Sequence, residues 1–350
     1  MTRVRPTTGD RSLPFEHFLL TRFSYRANNA SRNVASATRK IDEDPLRPDR
    51  LELRCKLFEC TCLPSVKAQS DQNFKWIIIV DKDLAPEFRS RLDDLLNGRP
   101  NFFVHTYDPE VRTDKLEWLE PYFRRDPDPA FVLTTNLDDD DALPRNFVSS
   151  VREHISTAYT KGELPPAKIL GITKIMQWDM IISRRAPLGW RSPWHRAQRT
   201  SSCGYTLLVK YPELSFCVLG TKHVHAEHYF DFSTTPINAY VEKRRSAFVS
   251  AAARCGMRLD RYPASSMFHD LTPATGPVLM SNHDKNIQKW RLYERKSAGK
   301  PVTGPETFPN VGIDVDRFAM FSQEFRMNLK HRFKRFVGGY VRFRRQHKNP

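Results

Sequence analysis

The chain has 350 residues, of which 39% are hydrophobic and 11% aromatic, and it carries a formal net charge of +16. This hydrophobic content is sufficient for a folded core and argues against a disordered chain. No apolar run approaches the roughly 18 residues that a membrane-spanning helix needs. Residues 1–15 are polar and lack the apolar core of a secretory signal, so we expect a cytoplasmic protein.

The first third of the chain alternates predicted strands and helices. In chain order these are a strand at 17–25, a helix at 51–69 that a proline bends or ends, a strand at 76–81, a helix at 86–96 and a strand at 102–106. A long polar loop separates the first strand from the first helix. The order βαβαβ predicts a mainly parallel sheet with right-handed crossovers.

The rest of the chain predicts further strands and helices of the same domain. They are a strand that begins at Phe131, a helix at 146–159, a strand or hairpin pair at 169–182, an irregular aromatic loop at 184–204, a strand at 205–209, a helix at 238–256 and a short strand that begins at Val278. We therefore expect one α/β domain over residues 16–320. A disordered lead-in at 1–15 precedes it, and a basic tail at 321–350 follows it.

Cysteine spacing argues against disulfides and zinc. The six cysteines include no C-x-x-C pair and no paired spacing of the kind that holds a metal. Reduced and mostly buried thiols are expected, as is usual in a reducing compartment.

Four consecutive aspartates, Asp138–Asp141, follow the predicted strand that begins at Phe131. Like charges repel one another and lose hydration when they are partly buried, so a positive partner is expected, and carboxylate oxygens suit Mg²⁺ or Mn²⁺. In an extended segment Asp138 and Asp140 would point one way and Asp139 and Asp141 the other. The alternative is a solvated acidic loop in which Asp141 caps the next helix. The buried strand before the run favours a site.

Charged residues at other strand ends favour the same edge of the sheet. In open α/β sheets, ligands bind beyond the carboxyl ends of the strands. Arg22 ends the first predicted strand and Asp81 ends the second, so both are expected beside Asp138–Asp141. Neither a G-x-G-x-x-G motif after the first strand nor a phosphate-binding G-x-x-x-x-G-K-[ST] motif is present, which disfavours a dinucleotide-dependent dehydrogenase and a P-loop enzyme.

Several of these segments resemble, in order, the putative rhamnosyltransferase family of bacteria, over roughly residues 16–290. The matching pieces lie at 17–23, 54–59, 63–69, 73–81 and 136–143, with a weaker likeness at 281–286. The resemblance implies an α/β fold of the glycosyltransferase A type, with a mainly parallel central sheet flanked by helices. It also implies transfer of a sugar, rhamnose by the family name, from a nucleotide-diphosphate donor to a glycan, lipid-linked or other envelope acceptor.

The resemblance also implies roles for individual residues. A D-x-D pair that holds Mn²⁺ or Mg²⁺ on the donor diphosphate falls on Asp138 and Asp140, with Asp141 in support and His283 as a further ligand. The donor nucleotide would be bound by Asp81, Asp138, Asp139 and Arg22. Relatives place a catalytic base some ninety residues after the D-x-D, which leaves Glu227 and Asp231 as candidates because this sequence has no clean Glu-Asp pair there.

The tail and the net charge allow other interpretations. Residues 321–350 carry nine Lys and Arg against one acid, and their phenylalanines recur at helical spacing. This pattern is typical of a basic amphipathic helix on an anionic membrane surface, such as the inner face of the plasma membrane, or of a helix packed on its own domain. The rival functions are nucleic-acid binding, which the four aspartates disfavour, and a metal-dependent phosphohydrolase that uses the same aspartates.

Overall fold

The computed structural model describes the core of the predicted domain. The described residues are 15–24, 44–108, 111, 113–123, 129–179, 189–195, 201–220, 253, 267–282, 301–302, 310–313 and 317. The predicted lead-in up to residue 14, most of the predicted helix at 238–256 and the basic tail lie outside them. None of the helices in the described part is long and apolar enough to cross a membrane.

A seven-stranded sheet forms the centre of the molecule, in the order β3-β2-β1-β4-β8-β5-β9. Pairing is parallel from β3 through β4, antiparallel on both sides of β8, and parallel again between β5 and β9. The strands are β1 (Phe15–Phe23), β2 (Lys75–Asp81), β3 (Phe102–Tyr107), β4 (Phe131–Asn136), β5 (Ala167–Gly171), β8 (Tyr205–Lys210) and β9 (Phe268–Asp270). The predicted mainly parallel α/β fold is confirmed.

A second sheet of four strands has the order β10-β6-β7-β11. Its strands are β6 (Lys174–Asp179), β7 (Gly189–His195), β10 (Val278–Asn282) and β11 (Pro301–Val302). Two predictions are corrected here. The segment 169–182 is not a hairpin, because β5 and β6 belong to different sheets. The predicted irregular loop at 184–204 contains β7, which pairs with β6 and β11.

The helices of the described part pack on one face of the central sheet. They are α1 (Pro48–Leu57), α2 (Leu63–Lys67), α3 (Pro86–Leu96) and α4 (Phe147–Thr160), and a short α5 (Thr272–Thr275) follows β9. Apolar residues of α1 to α4 join one core with alternate residues of β1, β2 and β4. The opposite face of the sheet is covered by two 3₁₀ turns, Glu117–Tyr122 and Val218–Gly220, in a second core.

The predicted helix at 51–69 is continuous but changes its winding. A π-helical segment, Phe58–Cys62, joins α1 to α2, and the backbone N–H of Leu63 donates to the carbonyl of Phe58. Pro64 lacks an N–H and its ring crowds the carbonyl one α-helical turn earlier. The wider π turn accommodates the proline without ending the helix. The five cysteines in the described part are buried, as predicted, and none of them forms a disulfide there; three of them belong to the helical core.

A buried chain of hydrogen bonds crosses the middle of the sheet. Nε2 of His17 on β1 lies 2.8 Å from Oγ1 of Thr135 on β4, which lies 2.7 Å from Oγ1 of Thr206 on β8. Thr206 in turn donates to the carbonyl of Gly204. Because a carbonyl can only accept, the protons in the chain run from His17 toward Gly204, so Nε2 of His17 carries a proton.

This arrangement predicts a pH-dependent stability. Burial, and secondarily the charge of Arg152, lowers the pKa of His17 from 6.5 to about 3. The unfolded chain therefore binds more protons between these values, and stability is lost as the pH falls from 6.5 toward 3. At about 1.4 kcal/mol per pH unit, the loss at pH 5 is about 2 kcal/mol.

Urea unfolding at pH 7.5 and pH 5 measures this loss, with His17→Gln as the matched control. The glutamine amide can still donate to Thr135 but does not titrate. We expect the wild type to lose about 2 kcal/mol more than the variant over this range. Equal losses in the two proteins would show that His17 does not carry the effect.

Candidate active site

The strand order of the central sheet reverses between β1 and β4. The chain runs from β1 outward through β2 to β3, and then returns to place β4 on the other side of β1. In open α/β sheets, such a reversal opens a crevice at the carboxyl ends of the strands, where ligands bind. Arg22 of β1 and Asp138, just after β4, lie at this crevice. Nη2 of Arg22 is 3.6 Å from Oδ1 of Asp138, and the two side chains are 43% and 32% exposed.

The next two aspartates face inward to an arginine of α1. Nε and Nη2 of Arg54 donate to the two carboxylate oxygens of Asp139, the first at 3.0 Å. Nη1 of Arg54 donates to Oδ2 of Asp140 at 2.7 Å. Asp139 has no exposed surface and Asp140 is 5% exposed. One guanidinium therefore binds two neighbouring carboxylates that are almost completely shielded from water.

The backbone of the aspartate cluster, defined as Asp138–Asp141, is fixed from both sides. The hydroxyl of Ser281 on β10 donates to the carbonyl of Asp140 at 2.6 Å, and the Thr61 hydroxyl of the π segment approaches the same carbonyl at 3.3 Å. The backbone N–H of Ser281 donates to Oδ1 of Asp141 at 3.0 Å. The second sheet and the π segment thus hold the cluster at the end of β4.

Asp141 is the third buried carboxyl of the cluster. Burial, together with the charges of Asp140 and Asp138, raises its pKa well above the usual range. Burial also raises the pKa of the nearby thiols of Cys62 and Cys203. The neutral forms of Asp141 and of these two thiols are therefore favoured.

The structure rules out the alternative of a solvated acidic loop, and it corrects one expectation about the cluster. The cluster is not a solvated loop, since three of its four side chains are buried. Asp141 does not cap the following helix: the residue before α4 is Asn146, and the backbone N–H of Val148 in the first turn donates to Oε1 of Gln69 at 3.0 Å. The side chains do not alternate, because the N–H of Asp141 donates to the carbonyl of Asp138 in a turn, which brings Asp139 and Asp140 to the same arginine.

Asp81 lies at the carboxyl end of β2, beside β1 and on the same edge as the cluster. It is 6% exposed, and its Oδ1 accepts the backbone N–H of Asp83 at 3.0 Å. This bond stabilises the turn that leads to α3. The structure therefore places Arg22, Asp81 and the cluster at the ends of three adjacent parallel strands, and a contact of Asp81 with a nucleotide stays a prediction.

One known family model matches the part of the chain that forms the candidate site. Residues 16–164 match the family model described as "Putative rhamnosyl transferase". The match runs from β1 to just beyond α4, so it contains Arg22, Arg54, Asp81 and the aspartate cluster. This part of the chain is therefore similar to the putative rhamnosyl transferases. The resemblance inferred from the sequence motifs is confirmed over these residues.

Solved structures give weaker likenesses. S. aureus TarS 1–349 in complex with UDP-GlcNAc is 12% identical with a TM-score of 0.25, and the match covers 50% of this chain and 37% of that chain. Mouse xyloside xylosyltransferase 1 is 11% identical with a TM-score of 0.28, covering 73% and 85%. A putative glucose-1-phosphate thymidylyltransferase from Bacillus anthracis is 12% identical with a TM-score of 0.26, covering 77% and 86%.

Scores this low do not establish a shared activity. The chain spans less than two fifths of the TarS chain that it matches. Among curated proteins, none matches the chain.

Three predicted site residues lie outside the described part of the chain. Glu227 and Asp231, the candidate bases, and His283, the candidate metal ligand, also lie beyond the rhamnosyl transferase match. His283 follows β10 directly, and Ser281 of β10 contacts the cluster.

The described residues fit a metal that is shared with a substrate, but not a metal held by protein alone. No group of three metal-binding side chains occurs among them. Mg²⁺ and Mn²⁺ sites of the shared type need only one or two carboxylates plus phosphate oxygens and water. Asp138 at the crevice and Asp140 behind it have the chemistry for this role. In the described part, the guanidinium groups of Arg22 and Arg54 contact three of the four carboxyl groups of the cluster.

Arg54 is the site residue that the sequence did not reveal. The rhamnosyl transferase motif at 54–59 contains it, but the sequence gives no sign of its partners, which lie 85 and 86 residues later. A positive partner was expected for the aspartates, and for Asp139 and Asp140 it is the guanidinium of Arg54. Only the folded arrangement of α1 over β4 brings these charges together.

Proposed function

We propose that this protein is a glycosyltransferase that takes a sugar from a nucleotide-diphosphate donor, which binds in the crevice between β1 and β4. The observation that carries the proposal is the meeting of Arg22 and Asp138 at the strand-order reversal, within the segment that matches the family. An exposed arginine there can pair with a diphosphate oxygen.

A divalent cation, Mn²⁺ or Mg²⁺, would be held by Asp138 and Asp140, with Asp141 in support and His283 as a further ligand. When bound, it would neutralise charge on the leaving diphosphate. The protein's own residues perform the other tasks. Arg22 would orient the donor phosphates, Asp81 would contact the nucleotide, and Asp139 would support the donor site from its buried position with Arg54.

The acceptor hydroxyl must lose its proton to a base if transfer inverts the sugar configuration. Glu227 and Asp231 are the proposed bases, from their distance after the D-x-D pair. Rhamnose is the proposed sugar, by the family name. A glycan or lipid-linked envelope acceptor is proposed, and the basic tail at 321–350 would hold the enzyme at an anionic membrane surface on the cytoplasmic side.

Calorimetric titration with UDP, dTDP and GDP, each with Mn²⁺ or with EDTA, tests this proposal. We expect one nucleotide to bind in Mn²⁺ and at least about tenfold more weakly in EDTA, because a shared cation bridges carboxylate and phosphate. Binding of none of the three, or binding that ignores the metal, contradicts the proposal. Metal-dependent hydrolysis of a simple phosphate ester without nucleotide binding would favour the phosphohydrolase instead.

A further inference from the structure

Arg54 occupies an unusual position for a charged side chain. It projects from α1 and is only 14% exposed, and it binds the carboxylates of Asp139 and Asp140 with three different nitrogens. Asp139 has no exposed surface, so bulk water does not stabilise its charge. A buried charge of this kind is strongly unfavourable unless it is paired and hydrogen-bonded. Arg54 supplies both the charge and the bonds.

The geometry of the contact also fixes the orientation of the two carboxylates. A guanidinium is planar, and its nitrogens donate along fixed directions, so a carboxylate bound by two of them has a defined orientation. Asp139 is bound in this two-pronged way, and the third nitrogen of the same group holds Oδ2 of Asp140. The side-chain orientation of Asp140 is therefore set by α1 rather than by β4 alone. A lysine has three N–H donors on one freely rotating nitrogen, so it could not bind Asp139 with two nitrogens and fix Asp140 with a third.

We infer that Arg54 is a positioning residue for the donor site: it neutralises Asp139 and holds the Asp140 carboxylate ready for the cation and diphosphate. The inference rests on the proposed function. It divides the cluster into parts with different tasks. Asp139 anchors the arginine, Asp140 is oriented by it, and Asp138 faces the crevice with Arg22.

Four variants test the role: Arg54→Met, Arg54→Lys, the double variant Arg54→Met with Asp139→Asn, and Arg91→Met as the matched control. Arg91 of α3 also binds two carboxylates, those of Glu52 on α1 and Glu59 in the π segment. Thermal unfolding gives the stability of each variant. Calorimetry gives the Kd for the nucleotide that the wild type binds, at several Mn²⁺ concentrations and below every Tm.

Arg54→Met removes the guanidinium that binds Asp139 and Asp140, so the Tm should fall. The double variant should recover part of that fall because the buried charge of Asp139 is removed as well. If Arg54 positions Asp140, the double variant still binds the nucleotide with a Kd raised about tenfold or more. Its nucleotide binding should also require a higher Mn²⁺ concentration. Arg54→Lys keeps the charge and should also bind more weakly, whereas Arg91→Met should match the wild type.

A Kd for the double variant within twofold of wild type would overturn the inference and make Arg54 purely structural. If the double variant does not fold, Arg54→Lys decides in the same way: a wild-type Kd overturns the positioning role, and a raised Kd in a folded protein supports it. A wild type that binds no nucleotide contradicts the proposed function, and the role of Arg54 in donor binding falls with it. If the wild type binds the nucleotide and the variant binds it equally well, only the positioning role of Arg54 is contradicted and the proposed function stands.

Discussion

Replacement of Asp140 by asparagine should lower kcat/KM for the donor by about 10²–10³-fold, the usual effect of removing one preorganised electrostatic group. The amide keeps the size of the side chain and can still accept the bond from Nη1 of Arg54. It removes the negative charge that the proposed cation needs. The measurement is the release of nucleoside diphosphate from the nucleotide sugar at fixed Mn²⁺.

Asp93→Asn is the matched control for this change. Asp93 is half exposed on α3 and pairs with Arg89 one helical turn away, far from the strand-order reversal. Its substitution should leave kcat/KM within about twofold, since exposed ion pairs of this kind contribute little. If Asp140→Asn retains wild-type turnover while the protein is folded, Asp140 is not part of the donor site.

The second large effect is expected in the core. Trp76→Ala should lower the free energy of unfolding by about 3–5 kcal/mol. Trp76 is completely buried on β2, its ring stacks on Phe58 at 5.5 Å and meets the edge of Phe102 at 5.1 Å, and its Nε1 donates to Thr21 at 2.9 Å. The alanine leaves a cavity between the sheet and the π segment and removes the hydrogen bond to Thr21.

Urea unfolding of wild type, Trp76→Ala and Trp76→Phe separates these contributions. The phenylalanine keeps most of the ring contacts and loses the hydrogen bond, so it should cost less than the alanine. A loss below about 1 kcal/mol for Trp76→Ala would mean that the packing around β2 relaxes to fill the space.

The part of the fold that the sequence predicted well is the part with strong local signals. α3 has its predicted bounds, Pro86–Leu96, since a proline opens it and Gly98 follows its end. β2 is a continuous run of β-branched and aromatic residues, the usual pattern of a buried parallel strand. Elements of this kind are specified mostly by their own residues.

The errors occur where distant segments decide the structure. β7 contains a proline and two tryptophans without clear alternation, and it is a strand because β6 and β11 pair with it. The alternation expected in the aspartate cluster fails for the same reason. Bonds from Arg54 and Ser281, both remote in sequence, fold the cluster into a turn.

The candidate site was predictable in outline but not in detail. Strand ends and charge placed Arg22, Asp81 and the aspartates on one edge, since parallel strands end together. The positive side chain that binds Asp139 and Asp140 was not predictable, because an arginine on a helix face gives no local sign of a partner more than 80 residues away.

The most direct test of the proposed active site is a crystal structure with Mn²⁺ and the nucleoside diphosphate that binds. The anomalous scattering of manganese gives the position of the metal. We expect a manganese peak about 2.1 Å from a carboxylate oxygen of Asp138 or Asp140. The diphosphate should lie in the crevice between β1 and β4, beside Arg22. A manganese or nucleotide bound elsewhere, with these aspartates in contact only with protein, would contradict the proposed active site.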